Sequence, residues 1–326
     1  MIDLTVSNES WPLAEVFTIS RGSKTAAEVV VVELRDGSHT GRGECVPYAR
    51  YGETVEGVMA ALKEMRSQLS GDVTRQQIQS LLKPGAARNA LDCAFWDLDA
   101  KRTGKPVWEL AGLPKPGPLV TAFTLSLDTP EKMAAAASRN ASRPLMKLKL
   151  TGEGDLERVA AVREAAPNTD LIVDANEGWS VEMVEPFSTD LAKHGVKMIE
   201  QPLPASDDRM LADVSHPVPL CADESAHTSA ELDALIGRYD VINIKLDKTG
   251  GLTEALALRK AAEAAGLQIM IGCMVGTSLA MAPAVLVGQG AAFVDLDGPL
   301  LLAKDRDDGL EFSGSTLQPP KPALWG

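Results

Sequence analysis

Three acidic residues close three successive short apolar runs: Asp174 in Ile-Val-Asp-Ala-Asn, Glu200 in Met-Ile-Glu-Gln-Pro and Asp223 in Cys-Ala-Asp-Glu-Ser. Carboxylates gathered at one point repel unless a counter-ion joins them. A hard divalent cation does so, and an all-oxygen ligand set favours Mg²⁺ or Mn²⁺ over zinc. One acid at a strand end is often a helix N-cap, but three in order at successive strand ends fit a metal better. Glu224 and Asn176 lie beside these ends and read as supporting or capping groups. Lysines flank the acids along the chain. Leu145-Met146-Lys147-Leu148-Lys149-Leu150 puts both lysines on one face of a strand, and Asn243-Ile244-Lys245 sets a third lysine against Ile244. Lysines turned inward are costly unless paired or used. The plain alternative, solvated lysines on an edge strand, needs an open sheet edge. Further on, Asp295-Leu296-Asp297 sets two acids on one face. They could hold a ligand ammonium group, or simply cap the Gly298-Pro299 turn.

Together these groups suit one kind of reaction. A proton next to a carboxylate is very weakly acidic, and removing it leaves an enediolate with two negative charges. A divalent cation on that carboxylate stabilises the dianion, and Lys147 adds positive charge beside it. The same positive charge is expected to lower the pKa of Lys149 towards that of a useful base. One base is enough for elimination. Two bases on opposite faces imply inversion of the carbon, that is, racemisation or epimerisation.

The elements that must carry these residues are legible in outline. From about residue 119, short apolar runs recur: Leu119–Leu125, Leu145–Leu150, Asp170–Val173, Val196–Ile199, Val218–Cys221, Asp240–Lys245, Gln268–Ile271 and Ala292–Leu296. Eight runs about 20–27 residues apart predict one βα unit each in a closed parallel barrel. Helix signals lie between them: Thr129-Pro130 as N-cap and first helical residue, Thr228 to Glu231 as a capping box, Gly237 and Gly266 as C-caps. An open doubly wound sheet is the alternative, but no Gly-rich phosphate loop follows the first strand. In a barrel, charged groups at C-terminal strand ends gather at one mouth. Lys149 on the second strand and Lys245 on the sixth then face each other, with the three acids on the arc between. Before the barrel, 26–34 reads as a strand, Asp36-Gly37 as a turn and 40–45 as the returning strand. Helical patterns follow at about 54–69 and 86–103. The domains expected are an α+β cap over 1–117, the barrel over 118–302, and a tail over 303–326 that returns to the cap.

Composition excludes other classes. The 326 residues carry a net charge of −13, which repels nucleic acid and anionic lipid. No apolar run is long enough to span a bilayer, and the first residues do not read as a secretory signal. The four cysteines have no C-x-x-C spacing and the four histidines are scattered, against zinc and against a disulfide scaffold. A reducing cytoplasm and a small-molecule substrate are the expectation, with no nucleic acid or membrane partner; a homo-oligomer is compatible with the sequence.

At these residues the chain resembles the enolase superfamily, in its muconate-lactonizing subgroup, and within that the dipeptide epimerases acting on L-Ala-D/L-Glu. The likeness runs from Ala90–Lys101 and Gly104-Lys-Pro through Lys147-x-Lys149, Asp174-Ala-Asn-Glu-Gly-Trp179, Glu200-Gln-Pro202 and Asp223-Glu224-Ser225 to Lys245-x-x-Lys-x-Gly-Gly251. It implies a modified TIM barrel, (β/α)7β, under an α+β N-terminal capping domain. It implies Asp174, Glu200 and Asp223 as Mg²⁺ ligands, Lys149 and Lys245 as acid and base, and Lys147 at the substrate carboxylate. It also implies that Asp295 and Asp297 bind a substrate ammonium, that Arg21 in an early loop binds a Glu side chain, and that Thr124 contacts substrate. Where many relatives carry an acid or a larger residue, Gly276 stands, and the expectation is extra room at the pocket. Cys273, with no paired histidine, reads as pocket wall. The competing functions are an N-acyl-amino acid racemase, a lyase such as o-succinylbenzoate synthase or muconate cycloisomerase, a metal-free Schiff-base aldolase, and a non-catalytic binder.

Overall fold

The structure, a computed structural model, describes residues 2–69 and 73–326. It opens with an antiparallel sheet of β1 (Asp3–Ile19), β2 (Gly22–Asp36) and β3 (His39–Cys45). The unbroken Val29–Val32 run of β2 is buried on both sides. Val30 and Val32 face a core with Leu62, Ile78 and Phe95, while Val29 and Val31 face the larger core shared with the barrel. Helices α1 (Val55–Glu64), α2 (Arg75–Leu81), α3 (Ala86–Thr103) and α4 (Val107–Leu110) follow. The predicted helix over 54–69 stops as an α-helix at Glu64 and tightens to a 3-10 turn over Met65–Gln68. Neither β1 nor α2 was read from the sequence. β1 is exposed along most of one face, so its apolar alternation is weak.

Strand β3 lies directly against α3, and its glycines make that possible. A Cβ on Gly43 would come 2.1 Å from the Ala90 carbonyl oxygen, and one on Gly41 2.2 Å from that of Ala94.

The barrel strands are β5 (Phe123–Leu125), β6 (Leu145–Lys149), β7 (Asp170–Asp174), β8 (Val196–Glu200), β9 (Leu220–Ala222), β10 (Val241–Ile244), β11 (Gln268–Ile271) and β12 (Phe293–Val294), after a short β4 (Leu119–Val120). They form one parallel sheet in sequence order, and the Ala122 N–H donates to the Val294 carbonyl at 2.8 Å to bring its two ends together. The ring excludes the doubly wound alternative. The predicted run Leu119–Leu125 is two elements. β4 leaves the barrel and pairs with β14 (Thr316–Leu317), itself paired with β13 (Phe312–Ser313), and only β5 joins the ring.

Five of the seven connections carry α-helices: α5 (Pro130–Arg139), α6 (Asp155–Ala165), α7 (Val181–Lys193), the pair α8 (Leu246–Thr249) and α9 (Leu252–Ala264), and α10 (Ser278–Val287). Thr129 caps α5 with proline at its start, as predicted. The connections after β8 and β9 are 3-10 turns (Asp208–Asp213 and Ser229–Ala234), the first bracketed by Pro202 and Pro204 before it and Pro217 and Pro219 after it. The Thr228–Glu231 capping box is present, but on the second of these turns. After β12 comes another 3-10 turn, Gly298–Leu301, so the eight βα units expected from counting become (β/α)7β.

Alternation divides the barrel interior into two layers. Ala122, Ile172, Met198, Cys221, Val241 and Met270 form an apolar plug. One strand repeat further on, the same inward face presents Asp174, Glu200, Asp223 and Asn243, all at most 2% exposed. On the other face Met146, Leu148 and Leu150 join the core beneath the helices.

The tail lies on the cap. Trp325 is buried, its Nε1 donates to the Cys93 carbonyl at 3.0 Å, and the Gly326 N–H donates to Asp97 at 2.7 Å. The four cysteines are free, and no helix among the described residues is long and apolar enough to cross a membrane.

Candidate active site

Strands β7, β8 and β9 are adjacent, and the acids at or just beyond their ends meet: Asp174, Glu200 and Asp223 each offer an oxygen within 4.8 Å of the others. Strands β6 and β10 flank this arc. Lys149 Nζ lies 2.6 Å from Asp174 Oδ2, and Lys245 Nζ 2.6 Å from Asp223 Oδ2. The two lysines therefore sit at either end of the carboxylate row, each held by its nearest acid.

Lys147 bridges acids from two separate strands, Glu200 at the end of β8 and Asp295 just beyond β12. Its Nζ lies 2.6 Å from Glu200 Oε2 and 2.8 Å from Asp295 Oδ2, and it is 1% exposed. Asp297 Oδ2 accepts the Thr124 N–H at 2.6 Å, and Thr124 Oγ1 is 3.5 Å from Asp295 Oδ1. Lys147, Thr124, Asp295 and Asp297 are thus one cluster, continuous with the three acids.

Arg21 belongs to the cap. The turn between β1 and β2 carries it to the barrel mouth, where Nη2 donates to Glu224 Oε1 at 2.7 Å and to the Tyr48 hydroxyl at 3.0 Å. Every predicted site residue therefore lies at this mouth. Gly276 does not enlarge it: a Cβ there would meet Glu44 Oε1 and Val46 Cγ2, each at 3.1 Å, so the position packs against the cap. Burial and Asp295 push the Cys273 thiol well up, which suits a wall residue.

Sequence reasoning missed two residues that hold the acids. Lys248, on α8, donates to Asp223 Oδ1 at 2.6 Å and to the Asn243 carbonyl at 3.0 Å. Gln201 adopts φ 36°. Its Oε1 accepts the Asp223 and Ser225 N–H groups, while Nε2 donates to the Leu203 carbonyl and the Tyr239 hydroxyl. Its place between Glu200 and Pro202 was the available signal.

The charges are unevenly balanced. Burial raises Asp174, but Lys149 and Lys147 outweigh it and bring the carboxyl to about 2. Asp223 is buried as well, yet Lys245 and Lys248 hold it well below the carboxylate range. Burial and Asp174 push Glu200 up to about 7, burial and Asp223 do the same to Glu224, and burial and Asp295 raise Asp297 to about 7. Burial opposes the charge on Lys147 and Lys245, but Asp295 and Glu200 for the first and Asp223 and Glu200 for the second hold both well above the usual lysine value. Asn176 Oδ1, Glu224 Oε2 and Asn243 Oδ1 are buried without a hydrogen-bond donor. Three converging carboxylates among under-satisfied oxygens fit a hard divalent cation.

Residues 132–321 match the enolase C-terminal domain-like family, and residues 1–112 match the mandelate racemase / muconate lactonizing enzyme N-terminal domain. The chain belongs to the enolase superfamily. It is 48% identical to the L-Ala-D/L-Glu epimerase of Escherichia coli (strain K12), covering 97% of this chain and 99% of that one. It is 46% identical to the N-acetyl-D-glutamate racemase of a Pseudoalteromonas species, covering 91% of this chain and 95% of the relative. An enolase family member from Agrobacterium tumefaciens, with homology to dipeptide epimerases and with bound sodium and L-Ala-L-Glu, superposes with a TM-score of 0.98 at 54% identity over 100% of both chains. The dipeptide epimerase from Cytophaga hutchinsonii, complexed with Mg and D-Ala-L-Val, has a TM-score of 0.91 at 29% identity, covering 97% of this chain and 92% of that one. This superfamily member therefore shares its fold and most of its length with epimerases and racemases.

Proposed function

We propose that the chain inverts the α-carbon of the Glu residue in L-Ala-D/L-Glu or a similar acidic dipeptide by proton transfer between Lys149 and Lys245. The observation that carries this reading is the placement of those lysines at the two ends of one carboxylate arc. Likeness to an L-Ala-D/L-Glu epimerase along nearly the whole chain supports the substrate class.

Asp174, Glu200 and Asp223 are the residues that would hold Mg²⁺, with Mn²⁺ an acceptable substitute. When bound, the cation supplies positive charge to the substrate carboxylate and takes up the negative charge that otherwise keeps Lys245 protonated. Lys149 then removes the α-proton from one face and Lys245 returns one from the other, or the reverse, so the carbon is inverted. Lys147 holds positive charge beside the reacting carboxylate. Asp295 and Asp297 receive the dipeptide ammonium, with Thr124 fixing Asp297 through its backbone N–H. Arg21 reads the Glu side-chain carboxylate. The working unit is a cap over 1–117, a barrel over 118–302 and a tail over 303–326, acting in the cytoplasm.

A second reading, racemisation of N-acetylglutamate, is favoured by the Pseudoalteromonas relative. It uses the same lysines and needs no ammonium site. NMR in D₂O with Mg²⁺ separates the two. Deuterium is expected at the Glu α-carbon of L-Ala-L-Glu; exchange only in N-acetyl-L-glutamate would install the second reading, and exchange in neither would sink both.

A further inference from the structure

Two separate segments of the cap converge on one stretch of the barrel rim. One is the β1–β2 hairpin tip bearing Arg21, and the other is the 3-10 turn Ala49–Tyr51 bearing Arg50. Both close on one barrel residue, Glu177. Arg50 donates from Nε at 2.8 Å and from Nη2 at 2.7 Å to its two carboxylate oxygens, and Arg21 Nη1 donates at 3.4 Å. The Ala205 N–H, on the connection after β8, adds a bond at 2.9 Å.

Glu177 can reach them because the chain turns sharply after β7. Asn176 and Glu177 have φ of 48° and 64°, a left-handed conformation that costs about 1 kcal/mol or more for a residue with a side chain. The turn is held by the Asn176 N–H on Asp174 Oδ1 and by the Glu177 N–H on the Gln201 carbonyl, each at 2.9 Å. It also aims the Asn176 carbonyl at the hairpin, where it accepts from Arg21 Nη1 at 3.0 Å and Ser20 Oγ at 3.2 Å. One turn therefore carries both a carboxylate of the arc and the grip on the cap. The Glu177 side chain is 10% exposed, while Arg50 and Arg21 are 38% and 27% exposed, so the carboxylate is enclosed by arginines that themselves face solvent.

We propose that Glu177 is a positioning residue that latches both cap segments to the barrel rim and so presents Arg21 to the substrate. The claim about Arg21 rests on the function proposed above; the latch itself does not. Hydrogen exchange followed by mass spectrometry on the substrate-free protein tests the latch alone. Glu177→Ala should speed exchange in residues 18–24 and 49–52 and leave β6–β10 unchanged. Unchanged exchange in the two segments, or faster exchange throughout, overturns it.

Kinetics then test presentation of Arg21. With L-Ala-L-Glu, Glu177→Ala should lower kcat/KM roughly five- to tenfold, mostly through KM, because Glu224 still holds Arg21. The isosteric but uncharged L-Ala-L-Gln should lose less. Arg50→Ala should show the same selective loss, and the double variant should add little to either single one. Equal losses on both dipeptides, or additive losses in the double variant, overturn presentation of Arg21. Failure of the wild type to act on either dipeptide would defeat the functional reading while leaving the exchange result standing.

Discussion

At the scale of single residues, the site is a contest between burial and pairing. Lys149 and Lys245 are each tied to a different acid, so removing one should leave the other in place. Lys149→Ala and Lys245→Ala are each expected to abolish turnover, with any residual α-proton exchange confined to one stereoisomer, opposite for the two variants. NMR in D₂O starting from each isomer reads this directly, and racemisation retained by either variant would refute the two-base assignment. Away from the carboxylate arc, Asp247 accepts from the Val46 N–H at 3.0 Å and Asn89 Nδ2 at 2.8 Å, and burial raises it to about 7. A carboxyl raised in the folded state contributes stability that is complete below its unfolded value near 4 and is lost as pH rises towards 7. Asp247→Asn should therefore gain stability relative to wild type across that window, by at most about 1.4 kcal/mol per pH unit. Urea melts at pH 4, 5.5 and 7 measure the slope, and a difference that stays flat would show that Asp247 ionises normally. Acid and lysine identities were legible because charge on an inward strand position stands out in sequence. Gly276 was misjudged because absence of a side chain says nothing about which neighbour fills the space.

Among elements, the period of two was the reliable signal. It placed Lys147 and Lys149 together on β6 and opposite Met146 and Leu148, as the packing bears out. It failed where a strand's surroundings change along its length. Leu119–Leu125 reads as one apolar run, yet β4 belongs to the tail's sheet and β5 to the barrel. The β3–α3 contact makes a sharp prediction. Gly43→Ala would drive a methyl into helix backbone, 2.1 Å from the Ala90 oxygen, and should cost about 1–3 kcal/mol or more. Gly117, with nothing within 4 Å of its would-be Cβ, is the control; Gly117→Ala should stay within about 0.5 kcal/mol. Thermal melts of the pair decide it, and equal stability would mean that α3 can lift away from β3.

Over the whole molecule, the cap, barrel and tail are tied by buried polar contacts. Glu44 on β3 accepts the Thr277 N–H and Arg306 Nη2, both at 2.8 Å, joining sheet, barrel and tail at one carboxylate. Trp325 fills the cap from the far end of the chain, and Trp325→Ala should cost on the order of 3–5 kcal/mol. Calorimetry checks this; a melting point within a degree of wild type would mean that the tail is peripheral. Metal removal acts elsewhere: excess EDTA should stop α-proton exchange and Mg²⁺ restore it, whereas exchange persisting in EDTA would point to a metal-free reaction. By itself, the sequence determined that strands of period two carry lysines and acids inward at the ends of repeating βα units, because alternation is a local property of the backbone. Which groups touch was decided only by tertiary structure. Ring closure lets Lys147 join Asp295 to Glu200, and the folded cap brings Arg21 and Arg50 to Glu177. Those contacts join residues far apart in the chain, and local spacing carries no record of that distance.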